Sequence, residues 1–394
     1  MGTLRGSLTL GELCKFQAGS VFPLAEQGEV GGDIPFVKVS DMNSEANSYR
    51  FLSASNWITE ETSTRLKVKT VPPGATIFAK IGEALKAERL RLAAVPTAID
   101  NNMMAAIPRE GVEPLFLRYL LENLRIAQWA QGSALPFLRS GDLEKIPVEV
   151  PNLMEQRRIA NVISVIDEKI ESVRKISRMA QMLAESIFEF TFETPTGSDE
   201  KSSEFWPSVR LGDILQQKRE STKPGIDSNL PYVPIDLIKT KSLSITEHRP
   251  NEEAKSSLIK FEENDILMGA MRVYFHRVAI APFSGLTRTT TFVLRPTKPQ
   301  YLEFALFVCN LERTIEYANR TSKGTTMPYA VWDGGLADLE IRLPPESLLK
   351  EFTENVKPLV DLVKNSGSLL ASLLEIRKTV LPALFNSRLS AGQD

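Results

Sequence analysis

Residues 152–190 read NLMEQRRIANVISVIDEKIESVRKISRMAQMLAESIFEF, 39 positions without a Gly or a Pro. A run free of both breakers, with Ile159, Ile163, Ile166, Ile170 and Val173 at steps of 4, 3, 4 and 3, predicts a helix with one apolar seam of the coiled-coil kind. A second phase continues it at Ile176, Leu183, Ile187 and Phe190. At a rise of about 1.5 Å per residue the helix would be about 58 Å long, more than a small domain covers, so it needs a partner helix.

The chain supplies that partner. Leu349, Phe352, Val356, Leu359, Val363, Leu370, Leu373, Val380 and Leu384 hold one heptad frame, interrupted at Ser366 and Arg377. Pro151 and Pro344, which end two similar blocks, set an offset of 193 residues. With that offset Ile159, Ile163, Ile166 and Ile170 fall on Phe352, Val356, Leu359 and Val363, so the seam is duplicated, and these eight side chains are the expected helix-packing set. Pro358, Gly367 and Pro382 predict that the second helix is kinked or segmented.

The sequence ahead of each helix is also written twice. Leu10-Gly11-Glu12-Leu13 returns as Leu211-Gly212-Asp213-Ile214, and Asp33-Ile34-Pro35-Phe36-Val37 returns as Asn229-Leu230-Pro231-Tyr232-Val233. Gly132-Ser133-Ala134-Leu135-Pro136-Phe137 returns as Gly324-Thr325-Thr326-Met327-Pro328-Tyr329, and LEKIPVEVP (143–151) as LADLEIRLP (336–344). A period near half the chain length means duplicated domains rather than a solenoid. Short apolar runs bounded by Pro and Gly read as strands. The fold class is therefore α+β, with a strand-rich domain over 1–150, a helix over 151–193, a polar linker over 194–204, a second strand-rich domain over 205–343 and a closing helix over 344–390. Packed antiparallel as a coiled coil, the two helices would relate the repeats by a pseudo-two-fold axis and carry the two domains to opposite ends of a rod.

A chain of 394 residues is long enough for two cores, and 42% hydrophobic with 24% charged residues is ordinary for a soluble protein. The two cysteines, Cys14 and Cys309, have no metal-ligand spacing and support neither a disulfide framework nor a zinc site. No apolar window approaches a signal peptide or a membrane span, so a cytoplasmic protein without a membrane partner is expected. The net charge of −2 hides two local excesses. Arg65, Lys67, Lys69, Lys80, Lys86, Arg89 and Arg91 fall in a stretch holding only Glu83 and Glu88 as acids, and residues 266–302 contain no acid at all. Confined basic patches in a neutral chain point to limited contact surfaces for nucleic acid, not to a protein that coats it.

Traces of catalysis are missing. No Gly-rich loop ends in Gly-Lys-Ser/Thr, and no Asn/Asp-Pro-Pro-Tyr/Phe element of an amino-methyltransferase occurs; Pro72-Pro73 and Pro344-Pro345 sit in other contexts. His248 and His276 have no acid at ligand spacing, so no metal is expected. Glu253-Ala254-Lys255 matches the tail of a nuclease Glu-x-Lys element, a triplet common by chance and read here as a solvated charge run.

The sequence resembles the specificity subunits of type I restriction-modification systems over almost its whole length. The marks are the repeated strand-rich domain, the Gly-x-x-(Leu/Met)-Pro-aromatic block, and Pro151-Asn152-Leu153-Met154-Glu155-Gln156-Arg157-Arg158-Ile159 opening a long helix that continues through Ile166-Asp167-Glu168-Lys169-Ile170. The resemblance implies a subunit without catalysis of its own, in which each strand-rich domain is a target-recognition domain for one half of an asymmetric bipartite site on double-stranded DNA. It implies that the helices set the unread spacer, and that two methyltransferase subunits using S-adenosylmethionine and restriction subunits using ATP and Mg are the partners. No cofactor is expected in the chain itself. The second copy departs from the pattern: Glu346-Ser347-Leu348-Leu349-Lys350 follows Pro344-Pro345 without the Glu-Gln pair.

Arg and Lys bind guanine edges or phosphates, Asn and Gln bind adenine edges, and aromatic rings stack or pack. The expected DNA contacts are Lys80, Lys86, Arg89, Arg91, Asn101, Asn102 and Arg139 in the first domain, and Arg272, Tyr274, His276, Arg277, Arg288 and Lys323 in the second. Phe137 and Tyr329 are read as loop or core anchors. Two other functions compete. A coiled-coil interaction scaffold would not need segregated acid-poor stretches. A stand-alone DNA-binding regulator would call for more positive charge than a pI near 6.0 provides.

Overall fold

The computed structural model describes residues 6–44, 47–193, 206–227 and 229–386. The expected linker, 194–204, lies outside them, as do the last four residues of the helix expected to end at 390. The fold is mixed α/β, with strand-rich sheets and long helices, and divides into two compact units. The first comprises Met1–Glu171 and Glu375–Asp394, the second Ser172–Leu374.

In the first unit a five-stranded sheet runs in the order Cys14–Ala18, Met103–Pro108, Thr76–Ala79, Arg91–Ala93, Arg50–Phe51, beside a four-stranded sheet built around Ile34–Val37 and Thr97–Ile99. Strand Thr76–Ala79 is buried at every position, so it reads as a continuous apolar run rather than an alternating one. The first and last strands, Gly6–Thr9 and Pro147–Val150, pair antiparallel and close the body. Helix α1, Pro114–Asn123, starts on a proline at its first turn, and Glu113 caps it by accepting from Phe116 N at 2.6 Å. The apolar face of α1, with Phe116, Leu117 and Leu120, packs in one core with Leu10, Leu13 and Phe78.

The second unit repeats this plan. Its four-stranded sheet runs Leu215–Lys218, Thr291–Pro296, Ile266–Gly269, Val278–Ile280, and Ser208–Arg210 pairs with Glu340–Arg342 as the closing ribbon. The repeated Leu-Gly-acid block is a one-turn helix in both units. Its acid reaches back to the residue before the turn, Glu12 to Thr9 N and Asp213 to Arg210 N, each at 2.8 Å. That role explains why Asp replaces Glu without loss.

Two long helices complete the units. Helix α2, Leu153–Phe188, runs on as a π-helical turn, Glu189–Glu193. Its start is fixed by Asn152, which accepts from Glu155 N, and by Gln156, fully buried, which donates to Pro151 O and accepts from Glu113 N at the cap of α1. The Glu-Gln motif is thus partly a packing device, and where the second copy lacks it, buried Leu349 stands in place of Gln156. Helix α3, Leu302–Asn310, is the counterpart of α1 in the second unit. Helix α4 spans Glu346–Asn386 without interruption, which corrects the expectation of a segmented helix. Gly367 is there for close approach rather than to break the helix: a Cβ at that position would lie 2.4 Å from the carbonyl oxygen of Ile245. Pro358 removes one backbone bond, and the buried neighbours Val356, Val360 and Val363 hold the helix across it.

Each unit combines one end of α2 with the opposite end of α4. In the first, Ile159 and Ile163 share a core with Leu381, Leu384 and Phe385. In the second, Phe188 and Phe192 pack edge-on against Phe352, with ring centroids 5.9 and 4.8 Å apart. Of the eight expected seam residues, Ile159, Ile163, Ile170, Phe352, Val356 and Val363 are buried, whereas Ile166 and Leu359 are half-buried and their successors Asp167 and Val360 are buried instead. The second seam phase is corrected more strongly. Ile176, Leu183 and Phe190 are exposed, and the buried line runs through Ser177, Ala180, Ala184 and Phe188. Small residues on that line let the helix approach the aromatic cluster of Phe304, Phe307 and Phe352.

Candidate nucleic-acid interface

In the first unit the end of strand Thr76–Ala79 organises an edge. Lys80 N donates to Asn102 O at 2.9 Å, and Lys80 O accepts from Leu138 N at 2.8 Å. Gly82 N donates to Pro136 O at 2.8 Å. The Gly132 block is a tight loop closed by two backbone bonds between Gln131 and Phe137, both 2.9 Å, with Gly132 at φ +85 where an L side chain would be strained. Lys80 therefore lies between the Asn101–Asn102 turn and the Pro136 loop. Buried Asp100 holds the turn by accepting from Asn102 N, and burial raises its carboxyl above the ordinary range. Both asparagines are exposed. Arg139, also exposed, lays its guanidinium over the Phe137 ring at 5.1 Å.

The second unit builds the same ladder. Ala270 N donates to Thr290 O, Ala330 N to Ala270 O and Arg272 N to Pro328 O, each at 2.8 Å. Lys323 and Tyr329 close the loop with two bonds of 2.9 Å, and Gly324 sits at φ +87. The scaffold is repeated and the side chains are not. Arg272, at the place of Gly82, takes φ +49, and His276 takes φ +51, so two non-glycine residues in the left-handed region bracket the turn Val273–Phe275. That turn displays Tyr274 and Phe275 beside Lys323, Met327 and Tyr329, all exposed. Among the described residues no carboxylate pairs with Arg272 or Lys323.

The edges thus gather Lys80, Asn101, Asn102 and Arg139 in one unit, and Arg272, Tyr274 and Lys323 in the other. The remaining candidates go elsewhere. Lys86 pairs with Glu83 at 2.6 Å, and Arg89 hydrogen-bonds Asn43. Arg91 is half-buried; burial and then the charges of Arg118 and Arg89 lower its pKa to about 10, and its Nε has no partner. Arg277 is held by Ile235 O at 2.7 Å and stacks on Phe275, and Arg288 is half-buried with its Nε unpartnered. His276 is buried, 5% exposed, with Nε2 bonded to Asn310. It borders a cavity of about 250 Å³ shared with Gln181, Glu185 and Glu312 and does not present its ring to the surface. Its neighbours in sequence gave no sign of this.

Three residues at the edges were not singled out from the sequence: Leu135, Met327 and Phe275, all exposed. Leu135 and Met327 hold the same place before the repeated proline, a signal that was present. Tyr329, read as an anchor, is 47% exposed and available for contact.

The known proteins to which this chain is similar fall in the family that its sequence resembles. Residues 7–179 match the family model described as the type I restriction modification DNA specificity domain. The chain is 25% identical over 390 residues to the type I restriction enzyme MjaIX specificity subunit of Methanocaldococcus jannaschii, covering 90% of this chain and 86% of that protein. It is 20% identical over 423 residues to the EcoDI specificity subunit of Escherichia coli, covering 98% and 88%. Among solved structures, the S subunit of a type I restriction-modification system from M. genitalium aligns with a TM-score of 0.61 at 15% identity, covering 98% of this chain and 96% of that one, a likeness of fold.

Proposed function

We propose that this chain is the DNA sequence-specificity subunit of a type I restriction-modification complex, itself non-catalytic, that reads a bipartite asymmetric site. The observation that carries the proposal is the doubled edge: one hydrogen-bond ladder occurs in both units, but it carries Lys80, Asn101, Asn102 and Arg139 in one and Arg272, Tyr274 and Lys323 in the other. A shared scaffold with different polar groups is what two half-sites of different sequence require. The relatives named as specificity subunits, matched over most of both chains, support the same role.

In this role each strand-rich body is a target-recognition domain, and α2 and α4 form an antiparallel spacer coil whose length fixes the unread bases. The pairing of opposite helix ends inside each unit supports that arrangement. Partners are two adenine methyltransferase subunits, which use S-adenosylmethionine, and restriction subunits, which use ATP and Mg. Exposed Leu362 and Leu369, spaced by seven on the part of α4 in the second unit, support partner docking on the helices. Among the described residues no helix is long and apolar enough to cross a membrane, and a cytoplasmic location accords with DNA as the target.

The test is to purify the chain with the methyltransferase encoded beside it and select binding sites from random duplexes. A two-part, salt-sensitive consensus that requires the partner is expected. A stable complex that selects no sequence would overturn the proposal in favour of an interaction scaffold.

A further inference from the structure

The two units differ in the core where α1 or α3 meets the long helices. In the first unit Arg377 of α4 donates to Glu122 of α1 at 2.6 and 2.9 Å and to Asp167 of α2. Tyr119 donates to Asp167 at 2.9 Å, and Arg118 lies 3.4 Å from Asp167 and 3.6 Å from Glu122. Arg118 also stacks on Tyr49 and Tyr119, at 4.7 and 4.8 Å. Arg91 and Glu171 add one charge of each sign nearby, so three arginines face three carboxylates. Asp167 and Arg118 are buried, and Arg377 is nearly so.

In the second unit the places of Arg118, Tyr119, Glu122, Asp167 and Arg377 are apolar, while Lys364 stands at that of Glu171 and pairs with Glu263. The 193-residue offset puts Ala184 opposite the place of Arg377 and Val360 at that of Asp167. Aligning α1 and α3 on their final residues, Asn123 and Asn310, puts Ala305, Leu306 and Cys309 at those of Arg118, Tyr119 and Glu122. All five are buried in one hydrophobic cluster. The fold therefore tolerates an apolar junction here, and the charged one is not required for burial. Ion pairs out of water add little net stability over well-packed apolar groups, so the charges call for another explanation.

We infer that the Arg377–Asp167–Glu122 clasp locks the register of α4 on α2, and so fixes the spacer of the DNA site to a single length. In the first unit the buried seam of α2 repeats isoleucine, Ile159, Ile163 and Ile170, which is nearly self-similar under a shift along the helix, so apolar packing there discriminates registers weakly. A shifted α4 would strand Asp167, Glu122 and Arg377 in a core without partners, which a buried charge does not tolerate. Placed at one end only, the clasp also distinguishes the two halves of an otherwise duplicated coil. The inference rests on the proposed function for its link to DNA, but not for the register itself.

The register is measurable without DNA. Val165 on α2 and Lys378 on α4, both exposed and both in the first unit, accept nitroxide labels as V165C/K378C, while native Cys14 and Cys309 are buried, their thiols pushed up to about 12 by burial. The native chain, purified in its complex, is expected to give one label distance. R118M/E122L/D167L/R377L should add a second population displaced by about 5 to 10 Å, one turn to one heptad. In site selection the same variant should accept neighbouring spacer lengths, with discrimination reduced about tenfold, roughly the effect of one lost charge-assisted contact. A single unchanged distance in the quadruple variant overturns the lock. A second distance with an unchanged spacer preference upholds the lock and overturns the coil as the ruler. Should the apolar set not fold, Arg377→Met alone removes the charge that ties α4 to Asp167 and Glu122, so no ion pair of α4 favours the native register; a second distance is again expected, and its absence again overturns the lock.

Discussion

Arg272→Gly separates a reading role from a structural one, because the structure predicts opposite effects on stability and on DNA selection. Arg272 holds φ +49 at a place where the first unit has Gly82 at φ +74. A non-glycine residue there costs about 1–2 kcal/mol, and removing that strain outweighs or balances the 0.5–1 kcal/mol, roughly, that glycine costs through the unfolded chain. The variant should therefore be as stable as the native chain or up to about 1.5 kcal/mol more so. The guanidinium touches no carboxylate among the described residues, so no ion pair is lost with it. If it reads a base edge, its loss costs about 1–3 kcal/mol of discrimination at one base pair, about 5- to 150-fold. The assay is site selection by the reconstituted complex, alongside thermal unfolding of the same preparation. One position in the half-site of the second unit should relax while the other half-site stays unchanged. A destabilised variant with an intact consensus would refute the reasoning and make Arg272 a structural residue held by the turn.

Lys80→Ala should weaken binding about equally to all sequences and reduce the salt slope by about 1, as loss of one phosphate contact does; a change in consensus without a change in slope would make Lys80 a base reader instead. Gly367→Ala should cost roughly 1–3 kcal/mol, lowering the melting temperature of the second unit, because the new Cβ meets the Ile245 carbonyl oxygen at 2.4 Å; an unchanged melting curve would show that α4 is free to move. At Glu122, burial acts to raise the carboxyl, but the Arg377 hydrogen bonds and the Arg118 charge prevail and hold it below the usual carboxylate range. Its contribution to stability is then complete above the unfolded value of about 4.3 and disappears as pH falls through the lower folded value, so the stability gap between native and Glu122→Gln should close on acidification. A gap independent of pH would mean that Glu122 is not the ionised partner of Arg377. One heptad added to both α2 and α4 lengthens the coil by about 10.5 Å and should lengthen the spacer by about three base pairs, with both half-sites unchanged; altered half-sites would refute the spacer role.

By itself the sequence determined the long helices and the repetition of its blocks. A 39-residue run without Gly or Pro can only be a long helix in this composition, and its seam repeats in the second half with the four blocks that precede it. Those features depend on local backbone preference and on periodicity, which the chain carries in its own order. Exposure of the candidate residues was legible where a backbone turn fixes it, as at Asn101, Asn102 and Arg272, and illegible at His276, which follows exposed Tyr274 and Phe275 while Asn310 draws its ring inward. Tertiary structure alone decided which apolar stripe of α2 is buried, because a helix bordered by both another helix and a strand-rich body offers more than one candidate face. Within residues 176–190 Ile176, Leu183 and Phe190 are left outside while Ile187 packs against the core, and the small Ser177, Ala180 and Ala184 go inward with Phe188, allowing the close approach of the phenylalanine cluster. The same reason hides Asp167 and Arg377: heptad arithmetic marks them as a miss and an interruption, and only the meeting of three helices makes them partners.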